Sequence, residues 1–153
     1  MTVKVPPRGS RGAFFPRFLA AFGNRMSVSR FRKSGASRTA GGVPALLLET
    51  TGATSGQTRQ AMLGYIEDGP DAWLVIASVI GAARNPAWLH NLAKQPDAVV
   101  QFGDGTRVDV RAETLEGEAL AHAWERIAVE APEYPKYKTK TDREMAVVRL
   151  SRR

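Results

Sequence analysis

Cysteine is absent from all 153 residues, which removes disulfides, thiolate nucleophiles, iron–sulfur clusters and thiolate zinc sites together. Histidine is almost as scarce: His90 and His122 stand far apart, neither has a second histidine at a ligand spacing, and no metal site is expected. Redox chemistry in this chain therefore needs a borrowed organic cofactor. Acidic residues are missing from the N-terminal stretch, where Lys4, Arg8, Arg11, Arg17, Arg25, Arg30, Arg32, Lys33 and Arg38 are the charges ahead of Glu49. Long apolar runs are missing too. No stretch approaches the roughly 20 residues of a spanning helix, and the start lacks the apolar block and cleavage site of a secretory leader. The expected location is the cytoplasm or, peripherally, the inner face of the cell membrane.

What is present suits one domain: 43 % apolar residues, with three Trp and six Phe, can cover a core without crosslinks. The net charge of +7 is concentrated at the N-terminus, as in an interaction arm or a membrane-facing segment. Residues 1–12 set Pro6, Pro7, Gly9 and Gly12 among basic residues and are expected to form a disordered tail. Residues 13–43 read as an amphipathic basic helix and a linker. From Phe14 to about Lys33, Phe15, Phe18, Leu19, Phe22 and Met26 recur at helical spacing, with Pro16 acceptable in a first turn. Arg17, Arg25 and Arg32 fall off that stripe, which suits a helix lying on anionic lipid. Packing against the rest of the domain is the alternative. Ser34 to Pro44 is a Gly/Ser-rich connector.

Residues 44–153 carry the strands. Ala45–Thr51, Thr58–Glu67, Ala72–Ser78, Ala98–Phe102, Thr106–Ala112 and Met145–Leu150 are apolar or alternating runs, with Gly103-Asp104-Gly105 as a hairpin turn. Helices are expected from Pro86 to about Gln95, with Asn85 as cap, and from Glu116 to Ala131, where Pro132 and Pro135 break the chain. Six strands without regular βαβ alternation favour an α+β, mainly β fold built on a closed antiparallel barrel. No G-x-G-x-x-G, phosphate loop or G-x-S-x-G elbow occurs, so a dinucleotide fold, nucleoside triphosphate binding and a serine hydrolase are all unsupported. The basic arm carries its aromatics on a helical stripe instead of on stacking strands, and no nucleic-acid partner is expected.

Three segments carry a resemblance to a known family. Thr50-Thr51-Gly52-Ala53-Thr54-Ser55-Gly56-Gln57-Thr58-Arg59 resembles the T-T-G-R-K-S/T-G-x-x-R signature of the deazaflavin-dependent nitroreductase and quinone reductase family. Ala77-Ser78, Gly81-Ala82, Asn85-Pro86-Ala87-Trp88, Asn91-Leu92 and Pro96 follow that family's second pattern. Tyr134, Tyr137 and Thr141-Asp142-Arg143, ahead of a Val-rich strand, resemble its closing segment. Ala53-Thr54 stands where many members have Arg-Lys, and Val79-Ile80 replaces a polar, glycine-bearing step, which makes that wall more apolar.

The resemblance implies a six-stranded antiparallel split β-barrel of the flavin-reductase-like superfamily, with flanking helices. It also implies a reductase that uses coenzyme F420, an 8-hydroxy-5-deazaflavin, to pass hydride to a quinone, enone or nitroaromatic. In that reading Ser55, Gly56, Gln57 and Arg59 hold the phosphate-bearing tail, since amides gathered in a turn accommodate anionic oxygens. Ala61, Met62, Ala77 and Ser78 line the ring, and Trp88 and Asn91 close one side. Tyr134 faces coenzyme and acceptor, donating a hydrogen bond as charge develops, with Ser78 as a second catalytic candidate and Tyr137 in the same pocket. Relatives of the barrel that bind flavin mononucleotide, haem or a fatty acid leave a non-catalytic binding module as the alternative.

Overall fold

The computed structural model describes residues 2–35, 38–39 and 42–153. At its centre Leu46, Leu47 and Leu48 of β1 (Ala45–Thr51) are 0 % exposed, because a continuous apolar run is buried on both faces of its sheet. β2 (Thr58–Gly64) and β5 (Asp97–Gln101) pair antiparallel on either side of it. Beyond these come β6 (Arg107–Thr114), β7 (Val147–Arg152), β4 (Ala72–Ile76) and the two-residue β3 (Ile66–Glu67), giving one antiparallel sheet in the order β2-β1-β5-β6-β7-β4-β3. Among the described residues four α-helices flank it: α1 (Arg17–Ser34), α2 (Ala87–Lys94), α3 (Gly117–Glu130) and α4 (Glu133–Lys138).

The six expected strands become seven because Thr58–Glu67 is not one strand. The chain pairs with β1 as far as Gly64, breaks at Tyr65, and resumes against β4 at Ile66. β2 and β3 therefore lie at opposite edges of the sheet, and this change of partner curls it towards closure. Two apolar clusters result. Inside the curl are Leu46, Leu48, Trp73, Val75, Val100, Val110 and Leu150, capped by Trp88, Leu89 and Leu92 of α2. On the outer face Leu74, Ile76 and Val147 pack under Ala123, Ile127 and Ala131 of the α3 region, with Tyr134 and Tyr137 at the margin.

Other expectations need correcting. The first helix begins at Arg17, after a Pro16 with ψ 143°, so Phe14 and Phe15 precede it. It is anchored by the buried Phe31 and by Asn24 Nδ2, which donates to the Gln60 carbonyl of β2 at 2.8 Å. Asn85 does not cap α2: that place falls to Pro86, without a side-chain bond. The prolines after α3 do not exclude helix either. Pro132 precedes α4 and Pro135 is its third residue, where a missing N–H leaves no hydrogen bond unmade. Residues 36, 37, 40 and 41 of the Gly/Ser connector lie outside the described residues.

Residues 2–12, expected to be loose, run with Ala13 as a strap along the barrel. Val3 is 8 % exposed and joins the inner cluster. Thr2 O and the Lys4 amide bond to Thr114, Gly9 donates to Ala83 O at 2.8 Å, and Ala13 donates to Gly81 O at 2.8 Å. Asp142 receives the Ser10 hydroxyl and the Arg11 amide. Gly12 lies so close to the chain at Ala82–Ala83 that any Cβ would collide with it. Glycine, read in sequence as looseness, here permits contact.

Candidate functional site

The turn between β1 and β2 is built before any ligand arrives. Gly52 donates to Gln57 O at 2.7 Å and Gly56 to Gly52 O at 2.9 Å, with Gly56 at φ 70°, a conformation that favours glycine. Asn91, buried on α2, spends its whole amide on this turn: Nδ2 donates to Thr50 Oγ1 at 3.0 Å and Oδ1 accepts from Ala53 N at 2.9 Å. Lys94, one turn further along α2, donates to Ala53 O at 2.7 Å. Gln57 N is occupied by Ser55 Oγ at 3.2 Å, so the turn amides without a hydrogen-bond partner among the described residues are those of Thr54 and Ser55. Arg59 is exposed and reaches Ser55 Oγ at 3.4 Å.

A second loop follows β4. Ala77 N still pairs with Ala146 O at 2.9 Å, but then Val79 (φ 43°), Ile80 (φ 55°) and Gly81 (φ 83°) are left-handed in succession. Two of these are β-branched, and each left-handed L-residue costs about 1–2 kcal/mol. Ile66 lies opposite Leu74, and β2 comes into contact with β4 where the chain passes from β2 into β3.

Beneath this loop lies Arg143, 4 % exposed. Its Nε donates to Ala82 O at 3.0 Å, Nη1 to Ala77 O at 2.9 Å and to Asn85 Oδ1 at 3.2 Å, and Nη2 to Ser78 O at 2.8 Å. No carboxylate reaches the guanidinium among the described residues. Burial, and secondarily the charge of Arg84, lowers its proton affinity, though an arginine stays charged regardless. Arg84 is itself lowered by burial and by the nearby Arg17 and Arg8. Arg8, Arg17, Arg84 and Arg143 are thus close enough to act on one another where the strap meets the loop, with the Asp142 carboxylate taken up by Ser10 and the Arg11 amide.

The two tyrosines stand at the far end of β2. Their rings meet edge-on with centroids 6.0 Å apart. The Tyr134 hydroxyl would be 2.8 Å from a Cβ at Gly64, which places it at the end of β2 opposite the turn. Burial foremost, then the Glu133 charge, pushes its phenol up to about 12. Tyr137 O would lie 2.8 Å from a Cβ at Gly81, so α4 also touches the left-handed loop.

These placements sort the expected residues. Tyr134 and Tyr137 pair on α4 and Tyr137 O approaches the loop at Gly81, whereas Ala77 belongs to the inner cluster. Ser55, Gly56, Gln57 and Arg59 gather at the turn, a strand length of about 20 Å from Tyr134. The two groups can hold different ends of an elongated ligand, not one reacting atom. Ala61 faces the inner cluster, and strand alternation puts Met62 on the opposite face with Gln60, whose side chain receives Arg32 of α1. Trp88, 8 % exposed, packs in the inner cluster, and Asn91 is engaged with the turn itself. The Ser78 hydroxyl makes no bond among the described residues, while its carbonyl is held by Arg143. Sequence reasoning gave Arg143 no role. The available signal was its place directly ahead of the buried strand starting at Val147, where a charge has to be desolvated.

The two unengaged turn amides, the exposed Arg59 and the arginines near the second loop fit a long ligand with an anionic tail. The chain is similar to several known proteins. A family model for F420H(2)-dependent quinone reductases matches residues 23–151. An F420H(2)-dependent quinone reductase of Mycobacterium tuberculosis is 39 % identical over 119 residues, covering 76 % of this chain and 78 % of that one. A solved F420-H2-dependent reductase superposes with a TM-score of 0.64 at 36 % identity, over 71 % of this chain and 94 % of the other. A haem-binding protein from Mycobacterium smegmatis, at TM-score 0.53 and 22 % identity, covers 76 % of this chain and 49 % of its own; it shares the fold.

Proposed function

The chain belongs to the F420H(2)-dependent quinone reductase family, and on that premise we propose that it reduces a quinone with hydride from the reduced deazaflavin coenzyme F420. The observation that carries this is the family match over residues 23–151, which takes in the turn, the left-handed loop and both tyrosines. When bound, reduced deazaflavin supplies the hydride. The chain supplies binding, orientation and charge. The Thr54 and Ser55 amides and Arg59 hold the anionic tail, as oriented N–H groups do at other anion sites. Ala61 and the Ala77–Ser78 end flank the ring, and the apolar Val79-Ile80 step keeps water from that wall. Tyr134, its phenol pushed up to about 12, keeps its proton and donates a hydrogen bond to the quinone oxygen as negative charge develops there. The Ser78 hydroxyl is the second donor.

Fluorescence titration with the coenzyme, followed by oxidation of the reduced form with a soluble quinone, tests the reading. Tyr134→Phe is expected to lower kcat roughly ten- to hundredfold while coenzyme affinity stays within about threefold, since the bond strengthens in the transition state. Equal kinetics would remove the tyrosine from the reaction, and a wild type that ignores the coenzyme would end the reading. Because burial raises the phenol from 10 to about 12, the neutral tyrosine's contribution to stability is complete below pH 10 and is lost as pH rises through 12. Ionisation of Tyr134 should therefore leave turnover unaffected between pH 6 and 10.

Docking of α1 on an anionic bilayer belongs to the same proposal. Phe18, Leu19, Phe22 and Met26 are between 45 and 73 % exposed, and the helix carries Arg17, Arg25, Arg30, Arg32 and Lys33 without an acid. No helix among the described residues is long and apolar enough to cross a membrane, so contact would be at the surface. Flotation of full-length protein with anionic but not neutral vesicles is expected, and equal recovery with both would refute it.

A further inference from the structure

Arg143 is a buried charge whose acceptors are carbonyl and amide oxygens instead of a carboxylate. Those acceptors are not scattered. Ala77 O and Ser78 O stand just before the left-handed step and Ala82 O just after it, while Asn85 Oδ1 ties the next turn of chain to the same guanidinium. Between these fixed ends lie Val79 and Ile80, two β-branched residues at φ 43° and 55°. Left to themselves such residues leave the left-handed region, and strained backbone of this kind persists only where its surroundings over-determine it. The loop's own bonds, Gly81 N to Ser78 O and Ala82 N to Val79 O, hold the step from within, and from outside it is held by a planar fork of N–H donors, a shape that lysine cannot reproduce. The strap adds a layer, since Asn85 Nδ2 donates to Pro6 O at 2.7 Å and Ala13 N to Gly81 O.

We propose that Arg143 is a positioning residue: it clamps both ends of the Ser78–Ala82 step and so sets the wall beside β2 before the coenzyme arrives. The proposal rests on the reading above that this loop borders the coenzyme. It accounts for how the chain tolerates Val79-Ile80 at a position where glycine would be the relaxed choice. The clamp in effect makes an apolar wall out of a backbone shape that otherwise calls for a side-chain-free residue.

The test uses full-length protein and three variants: Arg143→Lys, Ile80→Gly and the double. Amide hydrogen exchange, followed by mass spectrometry without coenzyme, reads the loop directly. Arg143→Lys is expected to speed exchange of residues 77–84 at least tenfold while the β1–β2 hairpin is unchanged, and to raise the coenzyme dissociation constant about tenfold. Adding Ile80→Gly should restore most of the exchange protection, because glycine holds φ near +55° without a clamp. A merely structural arginine would speed exchange throughout the barrel and would not be rescued by a glycine 63 positions away in sequence; either result overturns the proposal. If Arg143→Lys cannot be isolated, the double variant is compared with Ile80→Gly alone. Matching exchange is expected, and a tenfold deficit in protection overturns the proposal. If the wild type itself does not bind coenzyme, the functional reading fails, while exchange of residues 77–84 still decides the clamp.

Discussion

Two loops border the candidate site, and they are held in opposite ways. The Gly52–Gln57 turn puts glycine where the backbone is left-handed and is braced by a neutral amide, Asn91, whose donor and acceptor are both used. The Ala77–Ala82 loop puts Val79 and Ile80 in left-handed conformations and is braced by a buried guanidinium that gathers carbonyls. In the first, local sequence and backbone shape agree, so the brace only fixes orientation. In the second they conflict, and the brace has to offset the strain. A loop of the first kind is expected to survive weakening of its brace, and one of the second kind to relax.

The largest effect should come from Arg143→Met. It leaves several buried oxygens without donors and frees the strained step, and a loss of about 3–5 kcal/mol is expected in urea unfolding. A loss under about 1 kcal/mol would show that the carbonyls find other donors. Asn91→Ala removes two hydrogen bonds from a loop without comparable strain and should cost about 2–3 kcal/mol in the same assay. Exchange at residues 52–57 should rise no more than that global loss accounts for; a larger local rise would erase the contrast between the loops. The smallest effects form a pair. Gly56→Ala, at φ 70° with nothing within 4 Å of the added Cβ, should destabilise by about 1 kcal/mol through backbone strain alone. Ile80→Gly, at φ 55° and 43 % exposed, should lie within about 1 kcal/mol of wild type, because strain relief and added unfolded-state freedom oppose each other. Thermal melts of the two variants check this, and an Ile80→Gly more damaging than Gly56→Ala would reverse it.

The same contrast governs what was legible in the sequence. β1 was expected over Ala45–Thr51 and is found there, because a short apolar run ending in β-branched residues beside a glycine-marked turn states its structure locally. The β5–β6 hairpin was equally plain from Gly103-Asp104-Gly105. The left-handed conformation of Val79-Ile80 was not legible, since nothing in two β-branched residues announces positive φ; the cause sits at Arg143, far along the chain. The break at Tyr65 was hidden for a similar reason, being required by closure of the sheet and not by any residue at the break. The strap was misread because prolines, glycines and arginines lack periodicity, although Val3 and Gly12 each meet a specific surface. Of the site, the motif residues are assembled as two groups at opposite ends of β2, and Asn91 emerges as a brace of the turn, which spacing alone did not reveal.

β7 lies between β6 and β4 and pairs Ala72 with Ser151 across just over half the chain. Its position has a consequence for the order of folding. The β1–β2 and β5–β6 hairpins can form from neighbours in sequence, but β3 and β4 hydrogen-bond to the rest of the sheet through β7, the last of the seven strands in chain order among the described residues. Until β7 is in place the apolar faces of Trp73, Leu74, Val75 and Ile76 have no partner strand on that side. Closure of so long a loop belongs to the slow, topology-limited regime of milliseconds to seconds. A nascent chain halted before Val147 would therefore expose a sticky half-sheet, and would be a natural client for a chaperone that shields β edges.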